Sequence, residues 1–212
     1  MHITVFGAAG TAGSRIVHEA LSRGHEVTAV GRSAEPPNVL SAAVNFRAAD
    51  ATDPAQVKDV TAGSDVVISA TRPRPGHENE MADVAAALLE GLRNTGIRLL
   101  VVGGAGDLIV PGTGSTVMQM PDFPPDWRPI ALACHAQREV FRSAATDVEW
   151  TYLSPPALLE PGERRGSYRT GLDELLSDSA GTSYISMEDL AVAFLDEAEN
   201  PRHARTRFTV AY

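Results

Sequence analysis

Apolar positions along the chain alternate between the period of a strand and the period of a helix. Residues 3–6 form a short β-prone run that ends at Gly7. Residues 11–23 follow with Ile16, Val17, Ala20 and Leu21 apolar, an i, i+1, i+4, i+5 spacing that draws one stripe along a helix. Thr11 is the expected N-cap and Gly24 the expected C′ residue. Residues 26–30, 44–48 and 65–69 read as strands, the last nearly continuous, as in a buried parallel sheet. Asp53-Pro54 sets a capping acid and an N1 proline at the start of a short helix. Over residues 77–94, Met81, Val84, Ala85, Leu88, Leu89 and Leu92 keep one helical face, with Gly96 beyond it. A fifth strand, residues 98–102, runs into Gly103-Gly104-Ala105-Gly106.

Periodicity then lapses. Pro111, Pro121, Pro124, Pro125 and Pro129 predict a long loop over residues 106–129. Helical spacing resumes near Ile130 and runs to about Ala145, and residues 149–153 form a sixth strand before Ser154-Pro155-Pro156. Residues 157–186 carry glycine and charge, with strand candidates around Tyr168, Leu175 and Tyr184. Ser186-Met187-Glu188-Asp189 opens a helix in the manner of a capping box. That helix carries Leu190, Ala191, Phe194, Leu195 and Ala198 and stops at Asn200-Pro201. Residues 206–212 alternate through Phe208, Val210 and Tyr212, which predicts a terminal strand with one buried face. The β-α alternation through residue 154 predicts an α/β fold: a Rossmann-type doubly wound parallel sheet in three αβα layers. One domain spans residues 1–212, with a core of 1–154 and a small C-terminal elaboration over 155–212.

Composition narrows the partners. The 212 residues are 43% hydrophobic and 21% charged, with a formal net charge of −9. Such a chain buries a sizeable core but lacks the basic surface that nucleic acid or an anionic membrane requires. No nucleic-acid or membrane partner is expected. With Cys134 as its one cysteine the chain can form no intrachain disulfide. The first residues lack the basic and apolar regions of a signal peptide, and no apolar run reaches about 18 residues. A cytoplasmic location is the expectation.

The most informative motif is Gly7-Ala8-Ala9-Gly10-Thr11-Ala12-Gly13, placed directly after the first strand and before the first helix. A dinucleotide site needs that placement. The first glycine makes the turn, the second lets the backbone approach a pyrophosphate, and the third lets helix and strand pack closely. Free N–H groups at the helix start then face the phosphates. The spacing is GxxGxxG rather than GxGxxG, and the strand–turn–helix context carries the assignment. The second strand ends in Val30-Gly31-Arg32-Ser33, without the acid that binds a ribose 2′-hydroxyl. Arg32 suits a 2′-phosphate, with Ser33 adding a hydroxyl, so NADP(H) is expected over NAD(H). A solvated surface arginine is the plainer alternative. Asp50 and Ala51 are expected near the adenine, with a loop-capping role for Asp50 equally open.

Together these stretches resemble the atypical short-chain dehydrogenase/reductases of the NAD(P)H-binding family. The likeness is nearest to the NADH-flavin reductase branch, beside biliverdin reductase B and NmrA-like proteins. It rests on residues 7–13, 66–70, 100–106, 149–155, 160–164, 185–189 and 207–212. The resemblance implies that Ala9, Gly10, Thr11 and Ala12 join the glycines at the pyrophosphate, and that Ser69, Ala70 and Thr71 flank the ribose and diphosphate. It puts Gly103 and Gly104 beneath the nicotinamide ribose and makes Ser154, Pro155 and Pro156 the nicotinamide wall. One departure matters. The superfamily's Tyr-x-x-x-Lys pair is replaced by His135-Ala136-Gln137-Arg138-Glu139, which puts ordinary carbonyl reduction in doubt.

Hydride transfer to a flavin tolerates that loss, because water can supply the remaining proton. His135 is the candidate proton donor, weighed against a structural histidine. Cys134 is expected to be an inert buried thiol. His2, His18, His25, His77 and His203 show no metal-ligand spacing, so no metal is expected. Arg72 and Arg74 are expected to face the phosphates or an anionic substrate, with a solvated loop equally open. Met118, Met120, Phe123 and Trp127 form either a cover for a planar acceptor or packing against the domain itself. Two functions follow: an NAD(P)H-dependent reductase of a flavin, quinone-like or similar small planar acceptor, or an NmrA-like NADP(H)-binding redox sensor without catalysis.

Overall fold

A computed structural model describes residues 1–40 and 43–212. Its elements, in chain order, are β1 (His2–Phe6), α1 (Thr11–Ser22), β2 (Glu26–Gly31), β3 (Asn45–Ala48), α2 (Pro54–Val60), β4 (Val66–Ser69), α3 (Glu80–Gly91), β5 (Arg98–Val102), α4 (Arg128–Ser143), β6 (Trp150–Ser154), β7 (Leu158–Glu160), β8 (Arg169–Gly171), β9 (Tyr184–Ser186), α5 (Met187–Glu199) and β10 (Thr206–Ala211). Eight strands form one sheet in the order β3-β2-β1-β4-β5-β6-β10-β8. The β8 strand alone runs antiparallel to its neighbour, β10. The order reverses between β1 and β4, the switch point where open α/β sheets bind ligands at the carboxyl ends of their strands. The expected Rossmann-type sheet is therefore present. Strands β7 and β9 pair in a separate parallel ribbon.

Each sheet face is covered. On one side Ile16, Val17 and Ala20 of α1 meet Leu190, Phe194 and Leu195 of α5 over Ile3, Val5 and Ile68. On the other, Val57, Val84, Leu88 and Phe141 pack on Phe6, Val67, Leu99 and Val101. A fully buried side chain of this kind contributes roughly 1.5–3 kcal/mol, so the faces dominate the fold's stability.

Charge fastens the C-terminal elaboration to this core. Glu19 on α1 is buried, yet accepts hydrogen bonds from Arg164 at 2.8 Å and from Arg23 at 2.8 Å. The Arg164 bond leads the effects that hold its carboxyl down to about 2. Arg15 reaches Glu188 of α5 at 2.6 Å. Asp189, fully buried, accepts from the N–H groups of Arg165 and Gly166 at 3.0 and 2.8 Å and from the Tyr212 hydroxyl at 2.5 Å.

Several local expectations change. Gly10, not Thr11, is the N-cap of α1, with φ −71° and ψ 169° and no side-chain bond at the cap. Helix α3 is shorter than the expected span of residues 77–94. His77 and Glu80 close turns onto the Arg74 and His77 carbonyls, and Asn94 takes φ +57° beyond the end. No strand forms at Leu175, which instead donates its N–H to the Ile109 carbonyl at 2.8 Å. Strand β7 was not anticipated, since its three residues carry no alternation. The last strand is buried on both faces rather than one, because Phe208 and Val210 join the core with Leu190 and Phe194 of α5 while Arg207 turns inward on the other face. That arginine is neutralised by Asp107 at 2.7 Å and Asp173 at 2.5 Å.

Candidate nucleotide site

The glycine turn closes on one carbonyl. Gly10 donates its N–H to the Gly7 oxygen at 2.9 Å. Gly7 has φ +71°, a left-handed conformation that glycine adopts without steric cost. A Cβ on Gly7 would lie 2.5 Å from the Ala70 oxygen, and one on Gly13 would lie 2.1 Å from the Gly7 oxygen. Both positions thus need glycine for close backbone approach. Gly10 is different. A Cβ there would meet only the Gly7 oxygen, at 3.1 Å.

Helix α1 starts bare. Its cap makes no side-chain bond and its first turn holds no acid. The first N–H groups of a helix have no intrahelical acceptor. At Thr11, Ala12 and Gly13 they and the helix dipole offer an anion a positive end beside the exposed Ala9 and Gly10.

Beside this turn a cleft opens at the carboxyl ends of β1, β2 and β4. Gly7, Arg32, Asp50, Ala51 and Thr71 line it, joined by Thr52, Arg72, Glu80 and Met81. Its space, open mouth included, is about 610 Å³. The guanidinium of Arg32 is half exposed and stands 3.5 Å from the Glu80 carboxylate. Asp50 Oδ1 accepts from the Thr52 N–H at 2.9 Å and the Thr52 hydroxyl at 2.8 Å, so this acid both caps its loop and edges the cleft. Ser33 is exposed but not among the lining residues. Ser69 is buried, its hydroxyl 3.2 Å from that of Thr71. Ala70 is buried against Gly7. Glu80, Thr52 and Met81 were not singled out from the sequence as cleft residues. Met81 belongs to the helical core stripe, and only the tertiary approach of α3 to β2 brings Glu80 to Arg32.

Farther along the sheet, Gly103 and Gly104 end β5 above α4. A Cβ on Gly104 would lie 2.8 Å from Cys134 Cβ. Cys134 is partly buried, and burial pushes its thiol up to about 11. Tyr152 lies beneath. Its hydroxyl donates to the Cys134 carbonyl at 2.9 Å, and burial raises it well above its ordinary range. Ser154, Pro155 and Pro156 are all buried, and Ser154 Oγ has no hydrogen-bond partner. They stand at the predicted end of β6 but do not line the open cleft. His135 is exposed on α4, with Nδ1 3.4 Å from Asp107 Oδ2, an oxygen also 3.4 Å from Arg138. Met118, Met120 and Phe123 are partly covered and Trp127 is about half exposed. The loop bearing them is pinned by the Val117 and Met118 N–H groups to the Leu108 and Gly106 carbonyls at 2.9 and 2.8 Å.

Among the described residues there is no group of three metal-ligating side chains, and no helix is long and apolar enough to cross a membrane. The residues present fit a nicotinamide dinucleotide. The turn leaves no room for side chains at Gly7 and Gly13, the helix end is bare, and a cation stands at the far end of the cleft.

Comparison with known proteins agrees with this geometry. Residues 7–201 match the NAD(P)H-binding family. The Bacillus subtilis protein YwnB is 38% identical over 214 residues, spanning 99% of this chain and 98% of its own. A solved structure from Burkholderia pseudomallei, described as a candidate exported protein, is 42% identical with a TM-score of 0.89 and full coverage of both chains. Another from Streptococcus pneumoniae, described as a candidate NADH-flavin reductase, is 33% identical with a TM-score of 0.90, covering 100% of this chain and 99% of that one. With a family match over residues 7–201, nearly its whole length, this chain belongs to the NAD(P)H-binding family.

Proposed function

We propose that this protein is an NAD(P)H-dependent reductase that takes NADPH in preference to NADH and acts on a flavin, quinone-like or similar planar acceptor. The observation that carries the proposal is the bare N-terminus of α1 at the Gly7–Gly13 turn, whose Gly7 lines the cleft that holds Arg32. Gly10, Thr11, Ala12 and Gly13 would hold the pyrophosphate through backbone N–H groups, and Arg32 would hold the 2′-phosphate. Asp50, Ala51 and Thr71 would border the adenosine half, and Gly103 and Gly104 the nicotinamide half. Ser154, Pro155 and Pro156 would back that half from within the fold. The nucleotide, when bound, supplies a hydride.

The chain's own part is then to bind, to orient and to exclude water. Tyr152 is not free to serve as proton donor, since its hydroxyl is buried and donates a hydrogen bond to the Cys134 carbonyl. His135 is the exposed group that can deliver a proton on α4, with Asp107 holding its ring. An acceptor that draws its proton from water makes the least demand on this site.

The test mixes purified protein with NADPH and FMN, FAD or a quinone and follows the loss of NADPH absorbance. Turnover above the buffer rate supports the reductase. The buried state of Tyr152 favours one second function, an NADP(H)-binding redox sensor without catalysis. Tight NADPH binding with no turnover on any of these acceptors would establish that function instead.

A further inference from the structure

We infer that Glu80 governs how strongly this cleft discriminates NADPH from NADH, by occupying Arg32 when no 2′-phosphate is present. The inference rests on the nucleotide-binding reading given above. Arg32 follows β2, whereas Glu80 is the first residue of α3, 48 positions later in the chain and on the opposite wall of the cleft. Their charged groups stand 3.5 Å apart. A 2′-phosphate held by Arg32 would thus arrive beside a carboxylate. The outer part of the cleft deepens the conflict, adding Asp83 and Glu90 to Asp50 and Glu80 against Arg32.

The magnitudes allow an exchange of partners. Arg32 and Glu80 are 52% and 30% exposed in their side chains, and an ion pair so placed is weak. A phosphate bound by the guanidinium fork is the stronger partner. Glu80 is not orphaned by the exchange, because His77 Nδ1 lies 3.3 Å from its other oxygen. Binding of NADPH therefore carries the cost of breaking one pair and of bringing two like charges together. NADH, with a neutral 2′-hydroxyl, displaces nothing from Arg32. Glu80 lowers the affinity for the phosphorylated nucleotide and leaves its rival nearly untouched. The preference for NADPH is thereby held below what Arg32 alone would confer.

The test is calorimetric binding of NADPH and NADH to the full chain and to Glu80→Gln, Arg32→Ala and the double variant. Binding of 2′,5′-ADP and ADP isolates the adenosine half. Glu80→Gln is expected to tighten NADPH and 2′,5′-ADP about five- to tenfold while NADH and ADP change less than about twofold. In the Arg32→Ala background the same substitution is expected to have a clearly smaller effect, because there is no ion pair to break and no guanidinium to hold the phosphate beside the carboxylate. Unchanged or weaker NADPH binding by Glu80→Gln overturns the inference. Equal tightening of both nucleotides, or full tightening without Arg32, overturns it as well. If the unsubstituted chain binds neither nucleotide, the proposed function falls together with it. Normal binding by the unsubstituted chain with no selective response to Glu80→Gln defeats this inference alone.

Discussion

Gly103 lies against the ring of Tyr152 so closely that a Cβ on the glycine would stand 2.1 Å from Tyr152 Cε1. The ring cannot retreat easily, being fully buried, tethered through its hydroxyl to the Cys134 carbonyl and packed 6.3 Å from the Phe141 ring. The floor of the proposed nicotinamide site is thus a backbone surface resting on an aromatic core. Gly103→Ala is expected to destabilise the protein by about 1–3 kcal/mol, the range for overpacking a tight core. Thermal unfolding measures the loss, and a melting point equal to that of the parent chain would contradict the contact.

The three glycines of the turn are expected to separate folding from binding. Gly13→Ala forces a methyl onto the Gly7 carbonyl and should lower stability by about 1–3 kcal/mol. Gly10→Ala meets only one atom at 3.1 Å and has an ordinary φ, so it should fold with a melting point close to that of the parent. Its methyl would stand in the path of the proposed pyrophosphate, so nucleotide affinity should fall about tenfold or more. Circular dichroism and calorimetry on the two variants check the split.

Arg32→Ala is expected to weaken NADPH about 10- to 100-fold, the equivalent of about 1.5–3 kcal/mol for a bond to a charged group, and NADH about threefold or less. Equal losses for both nucleotides would remove the 2′-phosphate assignment.

Acid should loosen the clasp between α1 and the C-terminal elaboration. The Arg164 hydrogen bond, aided by Arg23 and opposed by burial, holds Glu19 down to about 2, below its ordinary value of 4.5. A carboxyl lowered in the folded state stabilises the fold fully above its unfolded value and loses that contribution as pH falls through its folded value. The Glu19 contribution is therefore complete above about pH 4.5 and lost between about pH 4.5 and 2. Denaturant unfolding across this window should show Glu19→Gln less stable than the parent at pH 6, with the gap closing toward pH 2. A gap independent of pH would exclude the ion pairs as its source.

His135→Ala is expected to leave turnover with a flavin within about threefold and to slow an acceptor that needs a proton from the protein by about 100-fold. Equal effects on both classes of acceptor would remove His135 as proton donor.

Much of this was written in local patterns. The Gly7–Gly13 turn, the strand before it and the helix after it are neighbours in the chain, so spacing alone places them. Ser186 caps α5 through the Asp189 N–H at 3.0 Å as its spacing anticipates. Where the pattern misled, distant segments had intervened. The alternation in residues 206–212 implied one wet face, but the core packed with α5 covers Phe208 and Val210 while two aspartates close around Arg207 on the other face. The proposed nicotinamide wall at Ser154-Pro155-Pro156 follows the expected strand yet lies buried.

The amino-acid order by itself determined the alternation of strands and helices, the glycine turn between β1 and α1 and the cation after β2, because each depends on residues near one another in the chain. Tertiary structure alone decided that Glu80 faces Arg32, that Tyr152 is sealed beneath Gly103 and that Glu19 is clasped by Arg164. These pairs join elements 48, 49 and 145 residues apart in sequence. No local periodicity encodes such meetings. They arise when the apolar faces of the helices settle on the sheet and carry the charged and aromatic groups at their margins into contact.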